Sequence, residues 1–126
     1  MEFKETVSGG RGHEFVETVV SFSNYRGGSI LVGVADNCDV KGLSDPEGTA
    51  SSIESVIRDL CDPVVRTEIN MLVIEGKPVI QVVVAEGQNK PYFLKDKGPY
   101  IRTGSSDRSM TRYELDEIYR GHENRG

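Results

Sequence analysis

Asn24-Tyr-Arg-Gly-Gly-Ser-Ile-Leu-Val-Gly-Val-Ala-Asp36 decides how the rest of the chain is read. Before it, Phe15, Val16, Val19, Val20 and Phe22 recur at spacings of three and four, the period of a helix. After Gly27-Gly28 the pattern becomes a continuous β-branched run, Ile30-Leu-Val32 and then Val34, which predicts a buried strand. Glycine supplies the positive φ that a helix C-terminus often requires, so the pair is a stop signal. The stretch therefore predicts a helix from about His13 to Tyr25, a turn, a strand, and a carboxylate, Asp36, at the strand's far end.

Working outward, Met1-Glu-Phe-Lys4 alternates and suits a short strand. Ser8-Gly-Gly-Arg-Gly12 predicts a loop whose backbone N–H groups could meet an anion. It matches neither GxGxxG nor a Walker A loop, and no Lys-Ser/Thr pair follows it, so a P-loop is excluded. Downstream of Asp36, Asn37 to Leu43 suggests a turn and a short returning strand. Ile53, Val56, Ile57 and Leu60 mark a second amphipathic helix over about 47–61, ended by Asp62-Pro63. Arg66–Ile74 and Pro78–Ala85 flank Glu75-Gly-Lys77 as a hairpin, the second strand apolar enough to be central. Tyr92–Leu94 and Tyr100–Arg102 flank Lys95–Pro99 as another hairpin, and Thr103–Arg108 reads as a small-residue loop. Thr111 with Glu114 three residues on forms a capping box for a last helix carrying Leu115, Ile118 and Tyr119. This order predicts an α+β (mixed α/β) domain over residues 1–120, with a frayed tail at 121–126. Its core would be a largely antiparallel, twisted sheet of about six strands with three helices.

The chain of 126 residues fits one domain, and 37% hydrophobic with 28% charged residues fits a globular protein. No apolar run is long enough for a membrane span and no signal-peptide pattern opens the chain, so the expected address is the cytoplasm. Cys38 and Cys61 lack partners at zinc-finger spacing and read as free thiols. The net charge of −5 is unevenly distributed. Residues 1–89 hold 7 basic and 14 acidic side chains, whereas residues 90–126 hold 8 basic and 6 acidic. A polyanion-binding surface should therefore draw on the C-terminal third. No GxSxG elbow is present, and neither His13 nor His122 has a partner at metal or triad spacing.

Five segments in order, Glu2-Phe3-Lys4, Phe22 to Asp36, Val40-Lys-Gly-Leu43, Asn89-Lys-Pro-Tyr92 and Tyr100-Ile-Arg-Thr-Gly-Ser-Ser106, resemble the Schlafen AlbA-type domain. That family is described as DNA-binding and occurs in bacterial and archaeal regulators and in animal Schlafen proteins. The resemblance implies a nucleic-acid-binding domain of a larger transcriptional-regulator or helicase-related protein. The parent's C-terminal domains would be winged-helix or ATPase-like, and a homodimer would be one way to build a continuous binding surface. Two alternatives follow from the same resemblance. One is a metal-dependent endoribonuclease and the other an ATP-binding module without a P-loop. The nuclease of animal Schlafen proteins uses three carboxylates, of which two match Glu2 and Asp36. The third would lie ahead of Met1.

The candidate residues follow. Glu2 and Asp36 would hold Mg²⁺ or Mn²⁺ and activate water, with Lys4 beside the scissile phosphate. Otherwise Glu2 and Lys4 form a surface ion pair and Asp36 sits in a turn. Arg102, Ser105, Ser106 and Arg108 are candidates for phosphate contact, because Arg bonds phosphate bidentately and small hydroxyl residues allow close approach. Lys90, Lys95 and Lys97 extend that patch, and Tyr92 and Tyr100 belong either to the core or to a base-stacking surface. Asn24 and Arg26 either orient a phosphate or satisfy carbonyls at the helix end.

Overall fold

A computed structural model describes residues 1–7 and 12–124, the side chains of 122–124 excepted. The order is β1 (Glu2–Lys4), α1 (Gly12–Ser23), β2 (Gly28–Val32), α2 (Pro46–Leu60), β3 (Cys61–Asp62), β4 (Thr67–Ile74), β5 (Lys77–Val84), β6 (Phe93–Leu94), β7 (Gly98–Thr103), β8 (Ser106–Ser109) and α3 (Arg112–Asn124). The class is α+β, with three helices among the described residues. The strands do not form one sheet of about six. The eight among the described residues divide into two four-stranded sheets, ordered β1-β2-β5-β4 and β3-β6-β7-β8.

Three local differences explain the count. The strand expected after Asn37 is reduced to a single bridge, Val34 to Val40. Residues 106–108, expected as loop, form β8 with Ser109 against β7, joined through Gly104 at φ +62°. Polar Ser-Asp-Arg-Ser carries no apolar alternation, so nothing in composition marks it as strand. β3 is two residues long and pairs with β6, too short to have any period.

The opening segment folds as expected. Phe15, Val16, Val19 and Val20 are fully buried, and so is Thr18. A helix apolar on most sides must be enclosed, and α1 contacts α2, β5 and β6 to β8, thereby joining both sheets. The helix stops where Gly27, at φ +77°, donates its N–H to Phe22 O at 2.7 Å. A Cβ on Gly27 would lie 2.6 Å from Val84 O, so both its dihedral and its space exclude a side chain. Two strands separated by a helix run parallel, and β1 pairs with β2 that way (Glu2 with Ile30, Lys4 with Val32). The other pairings are antiparallel.

β5 lies centrally between β2 and β4, as its apolar run implies. Glu75 and Gly76 both have positive φ, the requirement of a tight two-residue hairpin, and β4 pairs with β5 without a bulge from Thr67–Val84 to Ile74–Lys77. Asp45 caps α2, its carboxylate accepting from Gly48 N at 3.1 Å, and Ile53 and Ile57 point into the core. That core joins α1 and α2 to Ile30, Val32, Ile80 and Val82 of the first sheet and to Leu94 of the second. Each such side chain, fully buried, contributes about 1.5–3 kcal/mol relative to exposure. Among the described residues no helix is long and apolar enough to cross a membrane.

Candidate functional site

Sheet parity decides where the candidate residues point. Glu2 and Lys4 pair across to Ile30 and Val32, so they share the helix-covered face. They do not pair with each other. Lys4 Nζ lies 3.7 Å from Glu14, while Glu2 Oε2 accepts from Arg102 Nη1 at 3.0 Å. The same Arg102 nitrogen donates to Asp107 Oδ1 at 2.6 Å, and Thr18 donates to Asp107 Oδ2 at 2.6 Å. The Arg102 guanidinium also lies 5.0 Å from the centre of the Phe22 ring. Its side chain is only 8% exposed. Burial would lower the Arg102 pKa, but the hydrogen bonds from Asp107 and Glu2 outweigh it and hold the group above its ordinary range. One cation thus ties β1, α1, β7 and β8 together.

Arg108 faces the other way. It pairs with Ile101 in the register in which Arg102 pairs with Asp107, so the two arginines lie on opposite faces of the β7–β8 hairpin. Arg108 forms a bidentate pair with Glu114 at 2.7 Å on each arm and also donates to Thr103 Oγ1. Arg108, with the Thr111 N–H, holds Glu114 down to about 2. Glu114 also accepts from Thr111 N at 2.9 Å while Thr111 Oγ1 accepts from Glu114 N at 3.2 Å, which completes the expected capping box.

The lysines differ as well. Lys90 is committed to Glu86 at 2.8 Å and to Tyr25 O at 3.1 Å. Lys95 and Lys97 are exposed on the β6–β7 turn and form no ion pair among the described residues. Ser105 and Ser106 are exposed at the β7–β8 turn. These two turns lie at opposite ends of β7, about 20 Å apart at the rise of a strand. The C-terminal candidates therefore form two groups, not one continuous patch. Tyr92 is buried and Tyr100 half-buried, its phenol raised by burial and by its bond to Glu17.

A cleft of about 540 Å³ is lined by Glu2, Lys4, Glu5, Glu14, Asp36 and Ser105 among others. Glu2 and Asp36 thus open onto one space. Asp36 is exposed beyond the end of β2, whereas Glu2 is bound to Arg102. No group of three or more His, Cys, Asp or Glu among the described residues is placed to hold a metal ion. A carboxylate already neutralised by a guanidinium is a poor ligand for Mg²⁺ or Mn²⁺, which are held by clustered free oxygens. The side chains, as arranged, do not fit such an ion. Of the loops considered for ATP, residues 8–11 lie outside the described residues, and Thr103–Ser106 is the exposed β7–β8 turn.

Three residues that matter to this architecture carried little signal. Asn24 is buried, donates to Tyr92 O and Tyr100 O at 2.8 Å each, and accepts from Tyr92 N at 2.7 Å. It satisfies the backbone of the second sheet, not the end of its own helix. Thr18 and Asp107 meet across 89 positions. Spacing rules cannot detect contacts of that range. Arg26 is exposed, stacked 5.1 Å from the Tyr25 ring.

With this geometry in view, the comparisons with known proteins are direct. Residues 1–111 match the Schlafen, AlbA_2 family. The chain belongs to that family. A crystal structure of the DIP2311 protein of Corynebacterium diphtheriae has the same fold, with a TM-score of 0.74 at 21% identity over 94% of this chain. The chain spans only 26% of that protein's length. A solution structure from Nitrosomonas europaea, the N-terminal domain of a presumed ATP-dependent DNA helicase RecG-related protein, gives a TM-score of 0.61 at 27% identity. It covers 87% of this chain and 81% of that one. No curated protein matches the chain.

Proposed function

We propose that this Schlafen AlbA_2 domain binds nucleic acid as part of a larger helicase-related or regulatory protein. Membership of the family, with a RecG-related N-terminal domain among its structural relatives, supports an association with nucleic acid. The observation that carries the choice of surface is the division among the C-terminal cations. Lys95 and Lys97 are exposed and unpaired among the described residues, and the charge partner of Arg108 is a surface carboxylate, Glu114. Exposed ion pairs contribute little, so a phosphate can displace Glu114 from Arg108 at small cost. Ser106 and Thr103 are exposed beside Arg108 and add hydroxyl donors. On this reading the sugar-phosphate backbone lies along the outward face of β7–β8, from the Lys95–Lys97 turn towards Ser105 and Ser106. Arg102 serves the interface indirectly, by fixing the hairpin that presents it.

Fluorescence anisotropy with labelled single- and double-stranded DNA and RNA, over a range of salt, tests this. Affinity should fall steeply with salt, and Lys95→Glu with Lys97→Glu should weaken binding by about tenfold or more and reduce the salt slope by about two. Absence of binding to all four ligands, or binding indifferent to salt and to the double substitution, overturns the reading.

A further inference from the structure

Among the described residues, no strand pairs with the outer edge of β4. β1 ends the first sheet on the other side but is three residues long, and β3 and β8, the edges of the second sheet, have two and four. β4 has eight and runs along β5 without a bulge. Natural edges of that length are usually guarded by lysine, proline, a bulge or a covering loop, because unpaired N–H and C=O groups recruit another strand. From Ile69 to Ile74 the strand carries no charge and no proline.

The hairpin also fixes which groups are free. With a two-residue turn at Glu75-Gly76, Ile74 and Lys77 form a hydrogen-bonded pair, and bonding to β5 then alternates back along β4. Val73, Met71 and Ile69 accordingly turn their N–H and C=O groups outward. The same residues pair across to Pro78, Ile80 and Val82, so their side chains lie on the face where Ile80 and Val82 are buried. Ile69 packs against the edge of the core, whereas Met71 and Val73 project beyond it. Met71 is 50% and Val73 74% exposed.

We infer that β4 is a self-association edge, pairing antiparallel with β4 of a second copy about a two-fold axis through Met71. The strand is self-complementary in this register. Met71 meets its own equivalent, Ile69 meets Val73 of the other copy and Val73 meets its Ile69, so outward-turned backbone groups and apolar side chains match together. No like charges come face to face, since Glu68 falls opposite Ile74, the partner of Lys77 on β5. Arg66 falls opposite the Glu75-Gly76 turn, which places opposite charges at both ends of the pairing. The product is a continuous eight-stranded sheet with an isologous interface. It leaves the β7–β8 surface of each copy free and does not depend on what that surface binds.

Sedimentation velocity of the chain over a concentration series tests the inference. Twice the chain mass is expected at the higher concentrations. Met71→Lys should return the chain to a single-chain mass with an unchanged circular dichroism spectrum. Val73→Lys, at the more exposed position, serves the same purpose if Met71→Lys fails to fold. In a Cys38→Ser background, Met71→Cys should be joined by a short bismaleimide, whereas Tyr113→Cys should not. A wild-type chain that stays single throughout, or takes up an added extended peptide at β4 instead of its own copy, overturns the inference. So does a dimer indifferent to both lysine substitutions, or one in which Met71→Cys fails to cross-link.

Discussion

Arg102 and Arg108 are six residues apart on one hairpin, yet they belong to different parts of the molecule. The inward arginine is 8% exposed and bridges two carboxylates over an aromatic ring, whereas the outward one is 43% exposed and holds a single surface carboxylate. In composition the two are equivalent. What separates them is a two-residue turn, which sends the chain back so that position 102 opposes 107 and position 108 opposes 101. On one face the guanidinium's cost of burial is offset by two charged hydrogen bonds, and on the other it remains available to an external anion. The lesson is that a cluster of basic residues in a hairpin divides by parity into cations that build the domain and cations that can serve it.

The largest expected effect comes from breaking the inward side. Arg102→Ala leaves Glu2 and Asp107 without their cation, and loss of one partner of such a buried network costs about 3–5 kcal/mol. Urea denaturation followed by circular dichroism measures it. Arg102→Lys should recover only part, because an ammonium cannot reproduce the planar contact with Phe22 and both carboxylates together. A loss below about 1 kcal/mol would remove the distinction between the two faces.

Next is Asn24→Ala. Three buried or half-buried backbone groups, two of Tyr92 just before β6 and one of Tyr100 in β7, lose their partner, and unsatisfied groups of that kind cost about 1–3 kcal/mol. Hydrogen exchange should show the loosening first at Tyr92 N–H, whose acceptor is the Asn24 side chain. Asn24→Asp keeps an acceptor for that N–H but brings its oxygens against two carbonyls, so it should not rescue stability.

Arg108→Ala should leave the urea midpoint nearly unchanged, as loss of an exposed ion pair does. On the proposed reading it nonetheless weakens nucleic-acid binding severalfold, so the stability and binding effects of the two arginines are reversed in rank. Anisotropy titration beside urea denaturation separates the two outcomes. Arg108→Ala that destabilises as much as Arg102→Ala would erase the comparison.

How much of this was legible beforehand follows from the same parity. The Asn24–Asp36 segment has two clear periods joined by glycines, and its helix, turn and strand were readable because that information is local. The Thr111–Glu114 capping box was readable for the same reason. The division into two sheets was not, because it depends on β3 and β8, one too short and the other too polar to show a period. Candidate site residues were legible as residue types but not in orientation. Glu2 reaches Arg102 across 100 positions, and nothing in either neighbourhood announces the pair.

The smallest effect sharpens the outward face. Glu114 is held down to about 2 from an ordinary 4.5, chiefly by Arg108 and then by the Thr111 N–H. Its folded-state pKa is thus below the unfolded one, so its contribution is complete above about pH 4.5 and is lost as the pH falls through about 2. The pair lies at the surface, where solvent screens it, and its contribution should be about 1 kcal/mol or less. Other carboxylates titrate over the same range, so the informative quantity is the difference between the wild-type chain and Glu114→Gln. That difference in urea midpoint should be widest near neutral pH and close towards pH 2. Because Glu114 is both the capping-box partner of Thr111 and the counter-ion of Arg108, Glu114→Gln also removes the charge that holds the outward guanidinium while leaving Arg102 untouched. A variant slightly less stable yet tighter in binding nucleic acid would show that the outward face trades its internal ion pair for the ligand. Unchanged or weaker binding would return Arg108 to a purely local role at the start of α3.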